Sequence, residues 1–263
     1  MLFRTPVLAL LFLGTLAQAG PTPPRPPRGS FCAMTFNIRN SYADAADAKV
    51  GNAWPSRRPL ALKMLKELAP DLVGIQEATD GQVSDLAPGF EVIRQVELAL
   101  LYRPERLDAL EGGWTVAGEY GRPDRWGDRW IQWQVFRVRA TGRRVLVVHT
   151  HLSTEADHGP QARKTLAVAR ERAGGMPVLV MGDFNFDASG LLRSEGFQDA
   201  IPDQAGTFHG FKGGREGPRI DFLGTRGLEV LGWGVPQDTL KKDVHTVYIS
   251  DHHPLWIRVR PSR

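Results

Sequence analysis

A single cysteine, Cys32, stands in the 263-residue chain. No intrachain disulfide is possible, so the core alone must hold the fold together. Neither CxxC nor HExxH occurs, which removes the usual thiolate and helical-histidine zinc sites. No apolar run is long enough for a stable membrane span. There is no internal repeat and no coiled-coil heptad, which sets aside solenoids and long helical rods. Charge of one sign is also scarce. Lys and Arg number 33 against 29 Asp and Glu, a formal net charge of +4, and residues 1–30 supply Arg4, Arg25 and Arg28 with no acid. The remainder is nearly balanced, so total charge is weak evidence for a polyanionic partner.

The first 19 residues have the pattern of a secretory signal. Arg4 gives a positive start, Val7–Leu13 a short apolar region and Ala17-Gln18-Ala19 a small-x-small site. Cleavage is expected near Ala19, and a secreted or periplasmic location follows. Residues 20–30 are crowded with proline and predict a stiff extended linker. The body, residues 31–260, has the length of one large α/β domain. Cys32 falls in an apolar strand, Phe31–Phe36, where a small buried residue fits. Nothing in the chain identifies a protein partner.

What the sequence does hold is a series of apolar strands that end in polar residues. Val178–Met181 runs into Gly182-Asp183-Phe184-Asn185. Phe31–Phe36 ends at Asn37, Leu72–Ile75 at Gln76-Glu77, and Val145–Val148 at His149-Thr150-His151. Late in the chain, Asp221 sits within the apolar segment 219–223, and Asp251-His252 precedes the strand Leu255–Val259. Helices are expected over 58–68, with Leu60, Leu62, Met64, Leu65 and Leu68 near helical spacing, and over 160–172. Leu98–Tyr102 is a further strand.

Asn37, Glu77, His151, Asp183, Asn185, Asp221, Asp251 and His252 thus share one placement. Each alone has a structural explanation, such as a turn cap for Asn37 or Asn185, a helix cap for Glu77, a satisfied core histidine for His151 or an arginine partner for Asp221. Together they point to one mouth of a sheet, where α/β folds place their chemistry. Gathered charges repel unless a cation or a reaction requires them. Carboxylates and amide oxygens without cysteine favour a hard ion, Mg²⁺ or Mn²⁺. Histidines beside such an ion can handle protons or charge on a phosphoryl oxygen. The residues read as a Mg²⁺-assisted phosphoester hydrolase. The segment 122–144 interleaves Arg122, Arg125, Arg129, Arg137, Arg139, Arg143 and Arg144 with Trp126, Trp130 and Trp133. It suits a phosphate-rich ligand with stackable groups, or equally an arginine-rich sheet surface over buried tryptophans.

The ordered motifs Thr35-Phe36-Asn37-Ile38-Arg39, Gly74-Ile75-Gln76-Glu77, Thr150-His151-Leu152, Gly182-Asp183-Phe184-Asn185, Arg219-Ile220-Asp221-Phe222 and Ser250-Asp251-His252 resemble the endonuclease/exonuclease/phosphatase superfamily. That group includes pancreatic-type deoxyribonucleases, abasic-site endonucleases, sphingomyelinases and deadenylases. The resemblance spans Phe31 to about Val259 and, through Trp54 and Arg57-Arg58, looks like the secreted bacterial branch.

It implies a four-layered α/β sandwich, two mixed β-sheets flanked by helices. It also implies roles: Glu77, Asn37 and Asp251 at the metal, and Asp183 on the attacking water. Asn185 would hold a phosphate oxygen, His252 oriented by Asp221 and His151 would face the phosphoryl group, and Arg129 would contact substrate phosphate. Glu97 is the nearest candidate to support His151, although its register looks one residue off. The segment between Glu77 and Tyr102 is shorter than in many secreted relatives, which trims one wall of the cleft. The expected activity is a secreted phosphodiesterase or nuclease using in-line water attack on DNA or RNA. The alternatives are a sphingomyelinase-like or small-molecule phosphatase on the same fold and, outside catalysis, a phosphate-ligand binding module.

Overall fold

Burial sets the layers. Phe31–Asn37, Leu72–Gln76, Leu98–Tyr102 and Val178–Asp183 are buried without a break, the pattern of strands covered on both faces. The computed structural model describes residues 27–118, 127–155, 157–242 and 244–262. The expected signal segment, most of the linker, and Arg122, Arg125 and Trp126 lie outside the described residues. At the end of the linker Ser30 is already buried, and its carbonyl accepts from Arg106 Nη2 at 3.0 Å.

In chain order the strands are β1 (Phe31–Asn37), β2 (Leu72–Gln76), β3 (Glu91–Gln95), β4 (Leu98–Tyr102), β5 (Leu107–Val116), β6 (Trp130–Val138) and β7 (Arg144–His151). They continue as β8 (Val178–Asp183), β9 (Gln198–Asp199), β10 (Asp221–Arg226), β11 (Leu228–Gly234), β12 (Thr239–Lys242), β13 (His245–Tyr248) and β14 (Leu255–Pro261). The longer helices are α1 (Trp54–Leu68), α2 (Asp80–Leu86), α3 (His158–Ala173) and α4 (Ser189–Ser194). One six-stranded sheet has the order β11-β14-β1-β2-β4-β3, the other β5-β6-β7-β8-β10-β9. Both are mixed, because β1–β2 and β7–β8 are parallel and their neighbours antiparallel.

Phe31, Leu100, Phe136, Val147 and Leu223 belong to one core cluster between the sheets. A second cluster packs α1 and α2 on the first sheet, and a third packs α3 and α4 on the second. The expected four layers are present. Helix α1 begins at Trp54, before the expected start, with Pro55 in its first turn, where a missing N–H costs nothing. Its buried face is Leu60, Ala61, Met64 and Leu65. Leu62, expected on that face, is instead exposed. Helix α2 was not expected. It is opened by a capping box in which Thr79 and Gln82 satisfy each other's backbone N–H.

The layer between the sheets also carries a polar chain. His149, fully buried, approaches Gln132 Oε1 with Nδ1 at 3.2 Å and Gln76 Nε2 with Nε2 at 2.6 Å. Gln132 Nε2 donates to Ile93 O at 3.0 Å, so its Oε1 is the acceptor. His149 is therefore protonated on Nδ1 and accepts from Gln76 on Nε2. Burial holds its pKa down at about 3, which keeps it neutral.

Candidate active site

Register brings the strand-end residues together. Asn37 is level with Gln76 across β1–β2, and His151 with Asp183 across β7–β8. Asp183 is level with Asp221 across β8–β10, and His252 bridges to Phe208. Gly182 allows the closest of these approaches. Its φ is +146°, and a Cβ there would stand 1.9 Å from Thr150 O, so only glycine lets β8 lie against β7 at this point.

Asp183 Oδ2 is the centre. Asn37 Nδ2 donates to it at 2.9 Å. His151 Nε2 stands 3.6 Å away and His252 Nε2 3.8 Å away. These separations exceed a hydrogen bond, and a water or phosphoryl oxygen lying to one side could bridge each pair. Each imidazole is backed by a carboxylate: Glu97 Oε2 lies 2.8 Å from His151 Nδ1, and Asp221 Oδ2 lies 2.9 Å from His252 Nδ1. Both rings therefore donate from Nδ1 and turn Nε2 toward Asp183.

A two-residue turn places Glu97. Gln95 pairs with Leu98, and Val96-Glu97 between them presents the carboxylate. Arg129 is buried beside this pair, its Nη1 donating to Glu97 Oε1 at 3.2 Å. Asn185 is held by its own amide, which donates to Leu152 O at 2.9 Å, while its N–H donates to Asp183 Oδ1 at 2.8 Å.

Charge follows this geometry. Burial works against a charged His252, but Asp221 and Asp183 outweigh it and raise its pKa to about 10. His151 is raised in the same way, burial being overcome chiefly by Glu97. Asp183 is raised, by burial first and by Asp221 second. Glu77 behaves oppositely. Burial would raise it, yet His151, His252 and the donors from Asn40 and Asn37 bring it down to about 2.

Two groupings could hold a cation. Glu77 is bonded to Asn37 Nδ2 at 3.2 Å and to Asn40 Nδ2 at 2.7 Å. Burial and the nearby Glu77 carboxylate hold the Asp251 carboxyl above its usual range. Neighbouring carboxylates supply the hard oxygen donors that a divalent cation takes. Asn37 now presents Nδ2 to Glu77, with Oδ1 accepting from Arg39 N at 3.1 Å; a half-turn of the amide would offer Oδ1 to an ion. The second grouping is Asp183, Asp221 and His252, whose donor atoms all lie within 4.8 Å of one another. There the imidazolium already neutralises carboxylate charge.

The backbone shares in this construction. Arg39, Glu77 and Asn185 all have φ near +60° without being glycine, and such outliers collect where function over-determines the chain. Arg57, fully buried, donates to Ile38 O at 2.6 Å, Arg39 O at 2.9 Å, Asn52 O at 2.7 Å and Ile249 O at 3.2 Å. It ties the segment after Asn37 to the one before Asp251. Asn40, Arg57 and Ser250, whose Oγ donates to Asn37 O at 2.7 Å, carry no role in the strand-end pattern because their work is with backbone or with another side chain.

The model of the Endonuclease/Exonuclease/phosphatase family matches residues 34–252. An endonuclease/exonuclease/phosphatase family protein of Bacteroides thetaiotaomicron is similar in structure with a TM-score of 0.78 at 22% identity, over 88% of this chain and 94% of that one. A mannosyl-6-phosphatase of the same organism gives 0.75 at 21% identity, over 87% and 99%. D. rerio TDP2 complexed with single-strand DNA product gives 0.68 at 15% identity, over 88% and 99%. An uncharacterized protein of Acanthamoeba polyphaga mimivirus is 32% identical over 91 residues, a match covering 32% of this chain and 13% of that protein.

Proposed function

Because the chain belongs to the Endonuclease/Exonuclease/phosphatase family and is a metal-dependent phosphoester hydrolase, we propose that it uses Mg²⁺ or Mn²⁺ to cleave phosphodiesters of DNA or RNA by in-line attack of water. Glu77, Asp251 and Asn37 would hold the ion, which when bound supplies Lewis acidity at a phosphate oxygen. Asp183 orients the attacking water and takes up its proton. A raised pKa suits a carboxylate for that task. His252 and His151, both turned toward Asp183 and both favouring the charged form, stabilise charge on the phosphoryl oxygens from two sides. Asp221 and Glu97 fix their tautomers. Asn185 borders the same mouth.

The observation that carries this reading is the convergence on Asp183 Oδ2 of Asn37 at 2.9 Å, His151 at 3.6 Å and His252 at 3.8 Å. The TDP2 structure with DNA product supports the nucleic-acid substrate. Export by a signal ending near Ala19 belongs to the same proposal, and N-terminal sequencing of protein from culture medium or periplasm tests it. The activity is tested on plasmid and single-stranded substrates with Mg²⁺. Cleavage is expected, with loss of about a thousandfold or more in Asp183→Ala and His252→Ala. Cleavage that survives both substitutions would falsify the assignment.

A small phosphoester is the second reading. The described members of the arginine–tryptophan segment are largely engaged away from the site. Arg172 covers the Trp133 ring at 4.0 Å, while Arg137 and Arg139 pair with Asp108 at 2.8 and 2.6 Å. A panel of sugar phosphates, nitrophenyl esters and sphingomyelin decides between this reading and the first. Preference for sphingomyelin would favour a phospholipid substrate.

A further inference from the structure

Beside His252 lies a recess of about 360 Å³ that the chemistry above does not use. Its walls are the segment 201–220 and the hairpin of β12 and β13, neither of which belongs to the two large sheets. A segment of that length without helix or strand is usually functional. This one is firmly pinned. His209 N and Gly210 N donate to Asp251 O at 2.9 and 3.1 Å, and His253 N donates to Thr207 O at 2.7 Å. Thr207 Oγ1 in turn accepts from Ile220 N at 3.0 Å and Asp221 N at 3.1 Å. The wall is thus built onto the backbone that carries Asp251, His252 and Asp221.

One face of the recess is aromatic. The His209 ring lies 4.4 Å from His253 and 5.0 Å from Tyr248. Gly213 closes against Tyr248: its φ is +75°, and a Cβ would stand 2.7 Å from the phenol oxygen. Lys212 and Lys241 are exposed lining residues. The one acid among the described lining residues, Asp238, is 3.5 Å from Lys63 Nζ. His209 Nδ1 accepts from Gly213 N at 3.3 Å, and His253 Nε2 donates to Gly214 O at 2.9 Å. The rings offer their faces, while the lysines supply positive charge. The volume lies at the small end of ligand sites, the size for one monomer rather than a duplex.

We propose that this recess is the leaving-group subsite: it takes one polar monomer that bears a second phosphate, its ring against Tyr248 and His209 and its second phosphate between Lys212 and Lys241. The inference rests on the phosphoesterase reading. Water adds to phosphorus, the P–O bond to the monomer breaks, and the proton given up by water is balanced by one gained at the monomer oxygen. The monomer leaves as an alcohol with its second phosphate intact. The next nucleotide of a nucleic-acid chain and a doubly phosphorylated sugar share this chemistry.

The test compares the wild type with the Lys212→Ala/Lys241→Ala variant under Mn²⁺. Substrates are nitrophenyl phosphate and bis-nitrophenyl phosphate, which lack a second phosphate, and a 5′-phosphorylated dithymidylate, thymidine bisphosphate and fructose bisphosphate, which have one. KM for the last three is expected to rise about tenfold or more, with kcat within about twofold and the nitrophenyl esters unchanged. An unchanged KM, or an equal loss on nitrophenyl esters, overturns the subsite. A larger effect with the dinucleotide than with the sugar identifies the source as nucleic acid, and the reverse a sugar. Calorimetric titration of the wild type and the variant with thymidine bisphosphate separates the two claims if no ester is cleaved. Lysine-dependent binding then keeps the subsite and removes only the hydrolase reading, whereas lysine-independent binding or none removes the subsite.

Discussion

Asp183, the proposed base, shows what such a role costs its own fold. Its carboxylate is almost wholly buried, and both burial and Asp221 push its pKa up. A buried carboxylate beside another carboxylate is unfavourable until a reaction needs it. Asp183→Asn should therefore abolish turnover while leaving the melting temperature equal or higher. Paired calorimetry and nuclease assays check this, and a melting temperature lower by several degrees would mean that the charge is structural.

His149 tests the opposite case, a buried group without a place in the reaction. Its folded pKa, about 3, lies below its ordinary value of 6.5. Between those values the unfolded chain binds a proton that the folded chain refuses. Its contribution is complete above pH 6.5 and is lost as pH falls through the window, by up to about 1.4 kcal/mol per pH unit. His149→Gln should remove that slope. The stability deficit of the variant in urea is expected to narrow from pH 7 to pH 5; a constant deficit would show that His149 titrates normally.

Among elements, the β3–β4 hairpin shows where sequence reading stops. The strands that end in Asn37, Glu77, His151 and Asp183 were legible because a buried apolar run that stops abruptly at a polar residue is a strong, local pattern. Strand β3 is an exposed edge strand of weak pattern, and the turn Val96-Glu97 lacks the Asn-Gly chemistry that announces a hairpin. Glu97 therefore looked misplaced, although it sits 2.8 Å from His151. Helix α2, with seven residues, carries too little periodicity to be legible in sequence. The recess beside His252 has walls of irregular backbone, which leave no sequence pattern. Val96 carries the cost of the turn: it is β-branched, exposed and at φ +50°. That conformation suits Asn far better. Val96→Asn should stabilise the protein by about 1 kcal/mol in urea unfolding. A destabilised variant would show that the turn is held by packing of the valine.

The whole molecule places its site on the seam between the sheets. Asn37 reaches from the first sheet to Asp183 of the second, and His252, before β14, reaches Asp221. Glu97, between β3 and β4, reaches His151, and Gln76 reaches His149. No disulfide supports this seam, since Cys32 is the only cysteine. The proposed cation ligands Glu77, Asp251 and Asn37 all come from the first-sheet side, and the proposed phosphate neighbours include His151 and Asp183 of the second.

A cation alone therefore loads one sheet, whereas cation and phosphate together would join both. Ligands that bind only the folded state stabilise it by about 2.7 kcal/mol at a hundredfold excess over Kd. Two that share a site spanning the seam should do more together than separately. Melting is expected to rise with Mn²⁺, to rise slightly with inorganic phosphate, and to rise with both by more than the two shifts added. The excess should vanish in Glu77→Gln, which removes the carboxylate on the first-sheet side while leaving His151 and His252 in place. Simple additivity in the wild type would mean that ion and phosphate sit apart, and that the seam is closed by its own polar links alone.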